Sequence, residues 1–213
     1  MRMFCYLIVG FYSLNAFADY NLRKPDTYQV LPPPVSDSAE EKQEYKLLRE
    51  RQKNRTKSEC YFAEQAAFAT FEVFWETVFA EYVQEFYQVE PVFTDQDIQD
   101  FKDHIKGVMR YTDRVTRHFK NKYKRVRPYD KDKSLQPCTF IPGGQTSYPS
   151  SHASKVFASA CVLSSMYPEH KEILMNYAEF MADLRVLGGV HHSSDIETGK
   201  DIGLQVCAEV LKY

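Results

Sequence analysis

The sequence has almost no surplus charge. Its 27 Lys and Arg stand against 29 Asp and Glu, a formal net charge of −2, so nothing global points to nucleic acid or to an acidic membrane surface as a partner. No β-rich run of alternating apolar and polar residues is present, which argues against a sheet. No internal repeat is found, which argues against a solenoid. Beyond the first eighteen residues, no segment reads as a membrane span. The apolar stripe Phe68, Phe71, Trp75, Val78, Phe79, Tyr82 and Phe86 is interrupted on another face by Glu72, Glu76, Glu81 and Glu85, which a bilayer would not tolerate. Those glutamates also lack the accompanying Glu-x-x-His pairs of a di-metal carboxylate site, so they read as a solvated face. The aromatic stripe reads as core first and as a subunit interface second, which leaves a homodimer or higher homo-oligomer open.

What is there suits one folded domain. At 213 residues, with 44% hydrophobic and 15% aromatic residues, the chain can bury a sizeable core and is not disordered. Residues 1–18 read as a secretory signal peptide: Arg2 as the basic start, Phe4 to Phe11 as a short apolar stretch, and Ala16-Phe17-Ala18 as the cleavage site before Asp19. A periplasmic or secreted location follows. Cys5 would leave with the signal. The mature chain keeps Cys60, Cys138, Cys161 and Cys207, and an even count in an exported protein suggests disulfides. Three pairings are open, with a lean toward Cys161–Cys207 because both residues sit on helices that carry candidate site segments.

The expected class is all-α. Residues 19–37, with Pro25 and Pro32-Pro33-Pro34, form an extended arm. Residues 38–213 form one helical domain. Ser38 caps a polar helix from Ala39 to about Lys53. Amphipathic helix covers Glu59 to Tyr87, and a long helix runs from Thr94 or Asp95 to about Val126, ended by Pro128. Lys131 to Ser147 is a polar loop. Ser150 or Ser151 caps a helix to about Met166. A further helix spans Glu169 to about Leu187, Gly188-Gly189 breaks the chain, and the last helix covers Ser193 to Lys212.

Three short segments carry the candidate chemistry. In the first, Lys120 and Arg127 are seven residues apart, two helical turns, so both would face one side. Taken alone, this segment is also a generic basic patch. In the second, Pro149-Ser150-Ser151-His152 opens a helix, where free N–H groups and the positive end of the dipole attract an anion; Ser150 can add a hydroxyl, and His152 can lean over the same anion. In the third, Arg185 precedes the Gly188-Gly189 break, which lets it converge with His191. Asp195, four residues beyond His191, can accept from the imidazole, fix its tautomer and raise its nucleophilicity. His191, His192 and Asp195 could instead be a metal site, but the surrounding arginines would repel a cation.

In this order the three segments resemble the signature of the superfamily of type 2 phosphatidic acid phosphatases and vanadium haloperoxidases. Within it the chain most resembles the bacterial class A non-specific acid phosphatases, through Leu31-Pro32-Pro33-Pro34-Val35 with Ser38, Arg55-Thr56, and Ser147 to His152. The resemblance covers Leu31 to the C-terminus and implies the superfamily's helical-bundle fold. It implies that Lys120, Arg127 and Arg185 bind phosphate oxygens, with the Ser150 hydroxyl and the Ser151 N–H. His191 would be the nucleophile, Asp195 its orienting group and His152 the general acid. No cofactor and no metal are implied, and the partner is a small phosphomonoester or a lipid phosphate. The same site could hold vanadate in a haloperoxidase, or bind phosphate without turnover. The chain departs from the family at Ser151, where Gly is usual, and at Leu184, where Ser is usual.

Overall fold

A computed structural model describes residues 22–68, 95–144 and 146–212. The expected signal segment lies outside these residues, as does the aromatic stripe from Phe71 to Phe86 with its glutamates. Seven α-helices are described: α1 (Ala39–Asn54), α2 (Lys57–Phe68), α3 (Asp95–Tyr123), α4 (Pro128–Lys131), α5 (Ser151–Met166), α6 (Lys171–Leu187) and α7 (Ser193–Val210). Among the described residues there is no strand, only one isolated antiparallel bridge between Val126 and Thr146. None of the described helices is long and apolar enough to cross a membrane.

α5 is the hub, because it is apolar nearly all round. Ala153, Val156, Phe157, Ala158, Ala160, Val162 and Leu163 are all buried, and a helix with no polar face must be enclosed. α7, α6 and α3 pack around it. α7 comes very close through two glycines. A Cβ on Gly199 would lie 2.6 Å from the Ser150 carbonyl oxygen, and one on Gly203 would lie 2.5 Å from that of Ser154. Between α3 and α5 the contact is polar, with the Thr116 and Ser154 hydroxyls 2.8 Å apart.

α1 joins this bundle in an unusual way. Ser38 caps it, its Oγ accepting from the Glu41 N–H at 3.2 Å. Its inward stripe is Glu41, Glu44, Tyr45 and Leu48, the helical spacing of a core face but with two carboxylates in it. A helix read as polar therefore buries charge, and the basic partners of that charge lie behind the site.

Three expected boundaries change. The long helix ends at Tyr123 rather than near Val126, because Lys124 adopts φ 48°, a left-handed conformation that breaks the i→i−4 ladder. Pro128 does not end that helix; it opens α4 at its first position, where its missing N–H costs nothing. The helix expected from Glu169 starts at Lys171, after a 3₁₀ turn at Pro168–His170. From residue 22 the arm is extended apart from a 3₁₀ turn at Pro25–Thr27 and a turn at Ser36-Asp37, where Asp37 takes φ 66°. The arm is tied to the body by side chains: the hydroxyls of Tyr123 and Tyr148 donate to the carbonyls of Val30 and Leu31 at 3.0 and 2.5 Å.

Two disulfides close the fold, Cys161–Cys207 between α5 and α7, and Cys60–Cys138 between α2 and the loop before α5. The pairing toward which the cysteine positions leaned is therefore the one formed.

Candidate active site

The N-terminus of α5 supplies the first wall. Ser150 is its N-cap and is fully buried; its Oγ accepts from the Ala153 N–H at 3.3 Å. That bond leaves the hydroxyl proton free to donate. The Ser150 N–H donates to the Asp195 carbonyl oxygen at 2.8 Å, which pins the cap to the first turn of α7. The first N–H groups of α5, at Ser151 and His152, have no partner within the helix. Ser151 and His152 are partly buried, but the His152 Nε2 is shielded from solvent and has no hydrogen-bond partner among the described residues.

Lys120 and Arg127 do meet, although not by lying on one helix face. Lys120 is on the last turn of α3. The left-handed Lys124 then turns the chain, and Arg127 caps α4 from an extended conformation. The Val126–Thr146 bridge and a 2.8 Å bond from the Ser147 N–H to the Arg125 carbonyl lay this segment against the loop before α5. Lys120 Nζ donates to the carbonyls of Thr146 and Ser147 at 3.1 and 3.0 Å. Arg127 donates to the carbonyls of Gly144 and Val190 at 2.8 and 2.9 Å, and its Nη1 lies 3.3 Å from His191 Nε2.

The third wall is the turn from α6 to α7. Gly188 caps α6 and Gly189 takes φ 78°, a conformation that glycine adopts freely and other residues resist. The reversal brings buried Arg185 and buried His191 to one site. Arg185 Nη1 donates to Thr139 Oγ1 at 3.2 Å. A Cβ on Gly188 would come within 2.7 Å of that threonine's methyl, so the first glycine of the pair is needed for close approach rather than for its φ.

Around His191 the donors and acceptors fix the tautomer. Asp195 Oδ2 is 3.1 Å from Nδ1, and a carboxylate only accepts, so Nδ1 carries the proton. Arg127 Nη1 only donates, so Nε2 carries the lone pair. Asp195 is fully buried and also takes the His192 N–H at 2.9 Å and Arg125 Nη1 at 2.9 Å. Burial works to raise its carboxyl pKa, but the hydrogen bond and charge of His191, with His192 and Arg125, hold it far below the usual range.

Among the described residues none of Lys120, Arg127 and Arg185 forms a direct ion pair, although the charge of Asp195 acts on Lys120 and Arg127. Burial, then Arg127, lowers Lys120 to about 8. Burial, then Arg127, lowers Arg185 to about 10. Arg127 is lowered by burial. His191 falls to about 3 through burial, with Arg127 and Lys120 opposing the help of Asp195. His152 is pushed well below its ordinary value by burial, then by Arg185, Lys155 and His191. These mutual effects place Lys120, Arg127, Arg185, His152 and His191 in one electrostatic neighbourhood. Buried positive groups that repel one another are stabilised by a polyanion between them. His192 does not join this set: its ring is fully buried and meets Tyr45 edge-on at 4.9 Å. Among the described residues no three His, Cys, Asp or Glu side chains group as a metal site.

Two participants escaped the sequence reading, Arg125 and Glu44. Arg125 lay in plain view, two residues before Arg127, as one member of a basic run. Glu44 looked like any surface glutamate of a polar helix. Its only local signal is that it shares the buried stripe with Tyr45 and Leu48.

Comparison with known proteins bears on the family and the fold. The family model of the PAP2 superfamily matches residues 107–213, which include all eight candidate site residues. A non-specific acid phosphatase from Providencia stuartii is 31% identical over 99 residues, covering 41% of this chain and 37% of that protein. The match thus spans well under two thirds of that relative's length. Among solved structures, Aquifex aeolicus LpxE aligns with a TM-score of 0.61 at 22% identity, over 84% of this chain and 99% of that one. A transmembrane PAP2-type phosphatidylglycerolphosphate phosphatase from Bacillus subtilis aligns at 0.57 and 18%, over 84% and 87%. A bacterial vanadium-dependent iodoperoxidase aligns at 0.67 and 18%, over 90% and 54%. At these identities the structural likeness bears on the fold alone.

Proposed function

Because the chain belongs to the PAP2 superfamily, we propose that it is an exported, metal-independent acid phosphatase that hydrolyses phosphomonoesters through a phosphohistidine. The observation that carries this reading is the His191 imidazole. Its Nδ1–H is tied to Asp195, and its bare Nε2 points at Arg127, which with Arg185 is buried beside a half-buried Lys120. Export is supported by the two disulfides, which persist in oxidising compartments.

His191 Nε2 attacks phosphorus in line, and the P–O ester bond breaks as the N–P bond forms. With a pKa near 3 the imidazole is neutral at mildly acidic pH and needs no separate base. Lys120, Arg127 and Arg185 stabilise the charge on the equatorial oxygens, helped by the Ser150 hydroxyl and the Ser151 N–H. His152 protonates the leaving oxygen. In the free protein its proton affinity is low. Burial is the larger cause and Arg185 the next; the attraction of a bound phosphate dianion opposes both, so His152 takes up its proton as substrate binds. Once neutral, His152 accepts a proton from water, which attacks phosphorus, breaks the N–P bond and frees phosphate.

The test is turnover of an aryl phosphate with and without EDTA. Activity at mildly acidic pH is expected to survive chelation and to be blocked by vanadate, which mimics five-coordinate phosphorus. Activity that is lost to EDTA and restored by a divalent ion would overturn the proposal.

A further inference from the structure

We infer that Glu44 is a positioning residue for the reaction: through Arg125 it holds the carboxylate of Asp195, and with it the imidazole of His191, in the attacking geometry. This rests on the phosphohistidine reading above. It extends the site to α1, which lies outside residues 107–213 where the family model matches.

The chain of contacts is short and shielded. Glu44 Oε2 is 2.6 Å from Arg125 Nη2, Arg125 Nη1 is 2.9 Å from Asp195 Oδ1, and Asp195 Oδ2 is 3.1 Å from His191 Nδ1. No side chain in it is more than 9% exposed. The path also closes on itself. Glu44 Oε1 accepts from the Ser194 N–H at 2.9 Å, and Arg125 Nη1 donates to Ser194 Oγ at 2.8 Å. Glu44 therefore grips both the guanidinium that steers Asp195 and the first turn of the helix that carries it.

Its effect on chemistry follows from charge. Asp195 Oδ1 takes Arg125, while Oδ2 serves His191 and the His192 N–H. A guanidinium facing Asp195 alone would draw electron density from the carboxylate and weaken its hold on Nδ1–H. Glu44, with Glu41 at 3.8 Å, shares that positive charge and leaves Asp195 a stronger acceptor. Partners of this outer kind typically change activity by about 10- to 100-fold when altered. Glu44 touches none of the three cations proposed to bind phosphate, so its loss should spare anion affinity.

The experiment uses the full chain with Glu44→Gln, Glu44→Asp and, as control, Arg49→Met, which removes a 2.6 Å ion pair between the same helix and Asp132 without touching Arg125 or its partners. Aryl phosphate turnover, the Kd of inorganic phosphate and the NMR resonance of the His191 Nδ1–H are measured. For Glu44→Gln the expectation is a kcat at least about tenfold lower, a phosphate Kd within about threefold and a shifted Nδ1–H resonance. Glu44→Asp should recover part of the loss, and Arg49→Met should stay within about twofold. A folded Glu44→Gln protein with native kcat and an unmoved resonance overturns the inference, as does an equal kcat loss in Arg49→Met. Should Glu44→Gln not fold, Glu44→Leu with Arg125→Met removes both charges and leaves neither stranded. That protein should show the same low kcat and shifted resonance, and native values there also overturn the inference. If the unaltered chain turns over no aryl phosphate but its Nδ1–H resonance moves on Glu44→Gln, the proposed reaction fails and the positioning role stands.

Discussion

Adding one methyl group at Gly199 is the sharpest perturbation of this architecture. A Cβ there meets the Ser150 carbonyl oxygen at 2.6 Å, Ala153 Cβ at 2.9 Å and the Ser154 N–H nitrogen at 3.3 Å. The nearest contact is about 0.8 Å short of ordinary van der Waals distance, and the obstacle is backbone, which cannot swing aside. α5 and α7 must part by close to that amount. Overpacking of this kind costs about 1–3 kcal/mol, and Ala in place of Gly inside a helix returns about 1 kcal/mol. A net loss of up to about 2 kcal/mol corresponds to a Tm lower by up to about 8 °C for a chain of this size. The displaced atom belongs to Ser150, which caps α5 beside Ser151 and His152, and a misplacement near 1 Å can cost about 100-fold in rate. Gly203 is the comparison. Its Cβ would meet Ser154 O at 2.5 Å and Ala158 N at 2.9 Å, an equal insult one turn deeper in the bundle. Thermal melts and kcat/KM on an aryl phosphate should show similar Tm losses for Gly199→Ala and Gly203→Ala, with the larger rate loss confined to Gly199→Ala. Native Tm and native kcat/KM in Gly199→Ala would refute the packing argument. Equal rate losses in both variants would refute the link to the Ser150 cap.

Three further outcomes are expected. The folded pKa values of His152, His191 and His192 are all depressed, so below about pH 6.5 the unfolded chain binds protons that the folded chain refuses. Stability in phosphate-free buffer should fall as pH drops from about 6.5 toward 3, by up to about 1.4 kcal/mol per pH unit for each histidine, with Asp195 adding loss below about 3.8. A Tm that stays flat from pH 7 to 4 contradicts this. His191→Ala should abolish turnover and any trapped phosphoenzyme, whereas the defect of His152→Ala should shrink for leaving groups of low pKa, which need no proton; identical leaving-group dependence in the two variants would collapse the distinction between their roles. Ser151 is partly exposed at the head of α5, so Ser151→Gly should change kcat/KM by less than about tenfold, or about 1.4 kcal/mol, and a hundredfold gain would show that the hydroxymethyl group restricts the site.

Much of the molecule was decided by short-range rules that a linear reading can apply. The apolar spacing of α5, the Ser38 and Ser150 caps, and the Gly188-Gly189 break each depend on residues within one or two turns. Helix starts at Ala39, Asp95, Ser151 and Ser193 therefore fall where local chemistry puts them. The three candidate segments were also legible as a set, because cations, a capping hydroxyl, two histidines and a carboxylate suit holding an anion. Convergence of Lys120 and Arg127 was reached for the wrong reason. Helical spacing put them on one face, whereas the left-handed Lys124 ends the helix between them and the Val126–Thr146 bridge restores the proximity. Tertiary structure settled Cys161–Cys207, toward which the sequence only leaned, together with Cys60–Cys138, because disulfide formation depends on Cα separations of 6.0 and 5.4 Å, not on intervals of 46 and 78 residues. It also turned Glu44 from a surface charge into the partner of Arg125, 81 residues away. A carboxylate's worth depends on what surrounds it once water is excluded, and that surrounding exists only after α1 has docked.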